Sequence, residues 1–277
     1  INLLKSMRNY NCNKLIFSSS ATVYGTSKSP LFEESKIGEL RILSYDIECT
    51  SGDGSFPQAN RDTDKVIQIG STFSYNGSED CYFKHIITLG SCAPIEGAIV
   101  ESYDTEEEVI LAWQKLVIKQ DPDIITGYNI FGFDFKYLWN RAEALECAEE
   151  FGKFTRISKP SVLEIKKLAS SALGDNVLSY ITMEGRVQMD LLKVIQRDHN
   201  LVSYKLDYVA ENFMNDSIKT AVENNGVEVV RCNSLNVGNF ITIKTNGEDK
   251  FMDGKKYKII GKNLEENTVA LDMPEVE

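Results

Sequence analysis

Hydrophobic and polar residues alternate along this chain with two different characters, and the change between them falls near residue 39. In residues 1–38, Leu3, Leu4 and Met7 sit at helical spacing, Asn11–Asn13 reads as a turn, and Lys14–Ser20 reads as a buried strand. From Glu39 onward, Leu43–Thr50 (Leu-Ser-Tyr-Asp-Ile-Glu-Cys-Thr) reads as a buried strand, and Thr50–Asp64, with Gly52, Gly54 and Pro57, as a polar loop. Val66–Tyr75 and Cys81–Leu89 are β-rich runs joined by Asn76-Gly77-Ser78, a strong hairpin signal. Thr105 and Glu108 have the spacing of a capping box, which predicts a helix carrying Val109, Leu111, Ala112, Leu116 and Val117 and ending at Pro122. Asp123–Gly127 then reads as a short strand leading into Tyr128–Leu138 and a helix that runs to about Phe151. Strand, hairpin, helix, strand and helix in this order predict an α/β fold layered around one mixed sheet. After Asp216 the apolar runs are short: Val227–Val230, Phe240–Lys244, Lys256–Ile260 and Thr268–Leu271. Asn246-Gly247, Asp253-Gly254 and Asn263 separate them, a pattern suited to a small β-barrel or meander. The expected domains are therefore 1–38, 39–216 and 217–277.

With 277 residues, of which 42% are hydrophobic and 26% charged, the chain has room for one large or two modest domains with a real core. No apolar run approaches the length of a membrane span, and the N-terminus lacks the layout of a secretory signal. Six scattered cysteines without a Cys-x-x-Cys pair, and two distant histidines, His85 and His199, argue against structural zinc. They point instead to reduced thiols in an intracellular compartment. His199, beside Asp198, reads as a surface residue. A net charge of −11 argues against a non-specific nucleic-acid coat, which needs a basic face, and implies that DNA binding by this chain alone is weak and salt-sensitive. It leaves room for an enzyme that grips a few nucleotides in a cleft.

The chemistry begins at Asp46 and Glu48. Side chains at i and i+2 of a strand project from one face, so these two carboxylates stand side by side. Adjacent buried carboxylates repel unless a cation lies between them, and hard oxygens suit Mg²⁺ or Mn²⁺. The simpler alternative is an exposed strand end with both acids solvated.

Further along, Asp46-Ile-Glu48 is followed by Asn129-x-x-x-Phe133-Asp134, by Gly185-Arg-Val-Gln-Met-Asp190-Leu-Leu and by Ser203-Tyr-Lys-Leu-Asp207-Tyr-Val-Ala. This ordered set resembles the exonuclease domain of family B DNA polymerases, most closely those of large eukaryotic DNA viruses, over roughly residues 41–216. The resemblance implies a ribonuclease-H-like mixed sheet with flanking helices and 3′→5′ exonuclease activity on a single-stranded DNA 3′ end. It also implies two divalent ions about 3.5–4 Å apart. On that reading Asp46 and Glu48 hold the ion that activates water, and Asp46 and Asp134 share the ion that stabilises the leaving 3′ oxygen. Asn129 and Phe133 would line the terminal nucleotide; otherwise Asn129 closes a turn, Phe133 is a core ring and Asp134 is a helix N-cap. Asp190 reads first as the cap of a helix starting at Leu191, and Asp207 as a partner of local backbone or a lysine, with metal ligation the alternative for each.

The family's third exonuclease motif, Tyr-x-x-x-Asp, does not occur after Asp216, where Tyr257 has Gly261 four places on. Residues 217–277 resemble an insertion placed before that motif in some viral polymerases, and on this reading no polymerase palm is expected within these residues. Weak or no turnover is therefore expected, with a polymerase domain and a processivity factor as further partners, no membrane partner, and a nuclear or cytoplasmic replication site. A non-catalytic nucleic-acid-binding module is the alternative. A second, local resemblance links Phe17-Ser-Ser-Ser-Ala-Thr-Val-Tyr-Gly25 to UDP-glucose 4-epimerases, with Tyr24 and Lys28 matching Tyr-x-x-x-Lys. The glycine-rich dinucleotide loop of that family is missing, so residues 1–38 read as an orphaned helix–strand fragment without a nucleotide cofactor.

Overall fold

The structure is a computed structural model that describes residues 2–10, 38–78, 80–157, 159–170, 174–215, 217–222, 226–230, 235–244 and 251–272. Its backbone divides into two compact units, Ile1–Leu40 and Arg41–Glu277. The first contributes one described element, helix α1 (Asn2–Asn9), where the Leu3/Leu4/Met7 spacing predicts it. The turn, strand and Tyr24/Lys28 readings fall between residues 11 and 37, outside the described residues.

The second unit is built on a six-stranded sheet. In chain order come β1 (Arg41–Cys49), β2 (Val66–Tyr75), β3 (Cys81–Leu89), β4 (Ile99–Tyr103), α2 (Glu106–Gln120), β5 (Ile124–Gly127), α3 (Asp134–Ala144) and α4 (Ala148–Phe151). They are followed by the hairpin β6 (Leu163–Ser170) and β7 (Gly174–Ile181), then β8 (Val187–Asp190), α5 (Leu191–Asp198) and α6 (Leu206–Phe213). The sheet order is β4-β3-β2-β1-β5-β8. β1, β2 and β3 are antiparallel neighbours, while β4, β5 and β8 each run parallel to the strand they join. This is the mixed sheet with flanking helices that the pattern predicts.

Local chemistry explains the elements. Gly77 takes a φ of +83° at the β2–β3 turn, a conformation glycine adopts without a Cβ penalty. The Thr105–Glu108 capping box opens α2, and Asp121 closes it in the left-handed region. The helix expected to run to Phe151 instead breaks after α3, where Glu146 has a φ of +57°, and resumes as α4. On β1 the apolar side chains Leu43, Tyr45 and Ile47 are buried, and Asp46 and Glu48 lie on the opposite, exposed face. The Tyr45 ring packs 4.7 Å from Trp113 of α2 and 5.5 Å from Phe135 of α3, between the sheet and both helices. Trp113 in turn meets Phe151 and Phe154.

Two polar networks set the register. Around the starts of β1 and β5, the Arg41 backbone N–H donates to Asp123 at 2.9 Å, and Arg156 and Arg186 both pair with Asp121. Arg156 and Arg186 also donate to the Pro122 carbonyl that follows α2. The second network centres on a buried ion pair. Arg141 of α3 pairs with Glu106 of α2 and donates to the carbonyls of Ala59 and Arg61, while Glu106 accepts from the Val66 N–H at 2.9 Å. Truncating one partner strands the other charge in the core, so Arg141→Ala is expected to cost about 3–5 kcal/mol of stability, measured by urea unfolding. A loss below about 1 kcal/mol would show that the pair does not clamp the two helices.

The remaining strands, β9 (Ile218–Val222), β10 (Gly226–Val229), β11 (Phe240–Thr242), β12 (Lys256–Asn263) and β13 (Thr268–Leu271), form a separate five-stranded antiparallel sheet ordered β11-β12-β13-β10-β9. Its own small core holds Val227, Val229, Tyr257, Ile259, Val269 and Leu271. Among the described residues no helix is long and apolar enough to cross a membrane.

Candidate functional site

β1, β5 and β8 run parallel, so their C-terminal ends open on one side of the sheet, the side on which open α/β sheets take their ligands. β5 is short. Its register with β1 runs from Ile42–Ile124 to Ser44–Thr126, which leaves the later part of β1, with Asp46 and Glu48, beside the loop that follows Gly127. Gly127 is required there: a Cβ would stand 2.6 Å from the Tyr45 carbonyl oxygen and 2.5 Å from Ile130 Cγ2.

The loop after β5 delivers Asn129, Phe133 and Asp134. Asn129 takes a φ of +64°, and its carbonyl accepts from the N–H groups of Gly132 and Phe133, so it does close the turn. The loop is held from β8. Asp190, 2% exposed, accepts from the N–H groups of Asn129 (2.9 Å), Phe131 (3.0 Å) and Leu192 (3.0 Å). Asp190 thus caps α5, as the sequence suggests, and also clamps a loop that lies about sixty residues earlier. Asp207 accepts from the Tyr208 N–H at 2.8 Å in the first turn of α6, a local role.

Asp134 is the first residue of α3 rather than its cap, which is Phe133 and makes no side-chain capping bond. Asp134 is buried, 3% exposed, and its Oδ1 has no hydrogen-bond partner. Burial, and after it the charge of Asp46, push its carboxyl up to about 7. Asp46 opens to solvent as a residue, yet partial loss of hydration and then the charge of Glu48 raise its carboxyl as well. The Ile47 backbone N–H favours the charged form of both Asp46 and Asp134. The buried Tyr45 hydroxyl also lacks a partner, and its pKa is raised by burial and then by Asp134, Asp190 and Asp46. The three acids therefore form a chain of repulsions, Glu48 on Asp46 and Asp46 on Asp134, around two unpartnered oxygens. Among the described residues, no group of three or more His, Cys, Asp or Glu is drawn tightly enough to hold a metal on its own. The donor chemistry still suits a divalent cation: hard oxygens, raised pKa values at Asp46 and Asp134, and a buried orphan atom.

An open groove of about 650 Å³, which takes in Phe133, the residue before Asp134, is lined on one side by Phe56–Asn60 and on the other by Gly132, Phe133, Lys136, Tyr137, Asn140, Glu143 and Ala144. Phe133 meets Phe56 edge-on at 5.2 Å and Tyr137 at 4.9 Å. Phe56, 69% exposed, is the groove residue that sequence reasoning passed over, because residues 50–64 read only as a polar loop. That loop is ordered from within. Buried Asp64 accepts from the N–H groups of Gly52 and Gln58, both at 2.9 Å, which holds its carboxyl below the usual range, and the Tyr137 hydroxyl donates to the Asp64 carbonyl. An apolar Phe56-Pro57 pair inside a polar run is the signal that marks it.

A sequence model described as "DNA polymerase family B, exonuclease domain" matches residues 3–209. The chain is 41% identical over 210 residues to the DNA polymerase of Pyramimonas orientalis virus, covering 76% of this chain and 16% of that one. It is 41% identical over 207 residues to the DNA polymerase delta catalytic subunit of Arabidopsis thaliana, covering 72% and 19%. It is 32% identical to the DNA polymerase of Acanthamoeba polyphaga mimivirus, covering 70% and 15%. The chain thus spans less than a fifth of the length of these relatives. The family match begins at residue 3 and takes in the stretch that resembles epimerases, and that second resemblance finds no support. A mixed sheet with flanking helices, the ordered motifs at its strand ends and a match over three-quarters of the chain lead to one assignment: the chain belongs to the family B DNA polymerases, whose exonuclease domain it carries.

Proposed function

We propose that the chain hydrolyses single-stranded DNA from its 3′ end, with Asp46, Glu48 and Asp134 as the ligands of divalent cations, Mg²⁺ or Mn²⁺. The observation that carries this reading is the buried, unpartnered Oδ1 of Asp134 beside the charge of Asp46, an arrangement that a cation relieves and that a structural carboxylate would avoid. When bound, such ions lower the pKa of water and stabilise charge on the leaving oxygen. The protein's own residues do the rest. Asp46 and Glu48 share the outward face of β1 and so present their carboxylates together toward the phosphodiester. Asp134 stays neutral part of the time near pH 7 and must lose its proton to act as a ligand. Phe56 and Phe133 offer ring faces to the terminal bases, Asn129 offers its side-chain amide, and Lys136 offers a positive charge to the phosphates that enter the groove.

Turnover by these 277 residues alone is expected to be slow, because residues 217–277 hold no Tyr-x-x-x-Asp to supply a further acid. The domain limits 1–38, 39–216 and 217–277, a polymerase domain and processivity factor as partners, and a place in DNA replication belong to the same proposal. The test is nucleotide release from a 5′-labelled single-stranded oligonucleotide. Release is expected with Mg²⁺ or Mn²⁺, absent in EDTA, and reduced at least a hundredfold by Asp46→Ala. Release that survives Asp46→Ala, or that needs no divalent cation, would contradict the assignment of these ligands.

A further inference from the structure

The five-stranded sheet β9–β13 lies wholly beyond the family match, which ends at residue 209, and the proposed nuclease chemistry makes no use of it. Its inner face is closed by its own core. Its outer face has a distinct composition. Strand alternation turns Lys256, Lys258 and Ile260 of β12 outward, opposite the buried Tyr257 and Ile259. On edge strand β11, Phe240 pairs in register with Lys258, and Thr242 with Lys256. Phe240 is 64% exposed, and the Lys258 ammonium stands 6.0 Å from its ring centroid. Lys255, by contrast, stands 5.6 Å from the ring of Tyr257, an inner-face side chain.

Two other lysines on this part of the chain have acidic partners: Lys219 pairs with Glu228 at 3.0 Å, and Lys244 with Glu211 at 2.8 Å. Among the described residues, Lys255, Lys256 and Lys258 form no ion pair. In a chain of net charge −11, Lys256 and Lys258 thus stand without acidic partners on the strand that pairs with the exposed Phe240. Lys256 and Lys258 are two strand steps apart, about 6.8 Å, comparable with the distance between successive phosphates of an extended nucleotide strand.

We propose that this outer face binds single-stranded DNA, with Phe240 as a stacking platform for a base and Lys256 and Lys258 as contacts to phosphates. Aromatic rings set among lysines on an open β-face are the general means of holding single strands without sequence preference, because every base has a π-face and every nucleotide a charge. The site is separate from the acidic cluster and needs no metal ion. Its success or failure is therefore independent of the nuclease assignment.

The test uses the full 277-residue chain in EDTA, which prevents hydrolysis, with a 5′-fluorescein oligothymidylate read by anisotropy. Phe240→Ala is expected to weaken binding about tenfold, and Phe240→Tyr to retain it. Lys256→Ala with Lys258→Ala is expected to lower the slope of log affinity against log salt by about 1.4, two phosphates at about 0.7 each. Photocrosslinking with 5-iododeoxyuridine separates this face from the exonuclease groove. Adducts on the peptide that contains Phe240 support the proposal. Adducts confined to peptides containing Phe56 or Phe133, unchanged affinity in the variants, or variants that change only the sedimenting mass of the protein would each overturn it.

Discussion

Asp190→Ala is expected to lower the stability of the metal-free chain by about 3–5 kcal/mol in urea unfolding, a large share of what a domain of this size has to lose. Three backbone N–H groups, those of Asn129, Phe131 and Leu192, end on this one buried carboxylate. Hydrogen bonds to a charged acceptor contribute roughly 1.5–3 kcal/mol each, and an orphaned buried donor costs its desolvation as well. Water entering the vacated space offsets part of the sum. Two of the three donors belong to the loop that delivers Asp134, so any divalent-cation response should weaken along with stability. Asp190→Asn keeps one good acceptor and should fall between the two. Were Asp190 chiefly a metal ligand, its alanine variant would leave metal-free stability nearly unchanged. That result would reverse its assignment as a clamp.

Asp134→Asn is expected to act with the opposite sign. The folded chain holds the Asp134 proton up to a pKa of about 7, whereas an ordinary aspartic acid releases it near pH 4. Folding therefore takes up a proton between these values. The group favours the native state below about pH 4, and that contribution is lost as pH rises through 7, to a total of at most about 4 kcal/mol. An asparagine of the same shape never ionises. Without divalent cations the variant should be more stable than the parent by about 1–3 kcal/mol at pH 8, and no more stable at pH 4. Urea midpoints at the two pH values in EDTA measure this directly. A variant less stable than the parent at pH 8 would mean that the Asp134 charge is already compensated inside the protein.

Much of the frame can be read from local pattern, since local chemistry decides it. The Asn76-Gly77 turn, the Thr105–Glu108 box and the end of α2 before Pro122 each depend on residues within a few positions of one another. The same holds for the placing of Asp46 and Glu48 on one face of β1, which follows from the strand period alone. The rest depends on partners far apart in sequence. Nothing local announces that Asp64 orders residues 52–58 from within, or that Asp190 serves Asn129 and Phe131. The hairpin β6–β7 carries a weak signal because Lys167 breaks the apolar–polar alternation that Leu163–Lys166 begins. Strand β4 is short and mostly exposed, with Glu101 at its centre, and carries little hydrophobic signal. The groove formed by Phe56 and Phe133 joins two loops separated by most of the sheet's chain length, and only the fold brings their rings within 5.2 Å.

The reading as a whole depends on Asp46 and Asp134 sharing a divalent cation. Calorimetric titration of the 277-residue chain with Mn²⁺ at pH 8 addresses that sharing without requiring turnover. Saturable binding in the parent protein, lost in Asp46→Ala and in Asp134→Asn alike while both variants remain folded by circular dichroism, is the expected result. Binding that persists unchanged in either variant would place the cation elsewhere and leave the two carboxylates as neighbours with no common ligand.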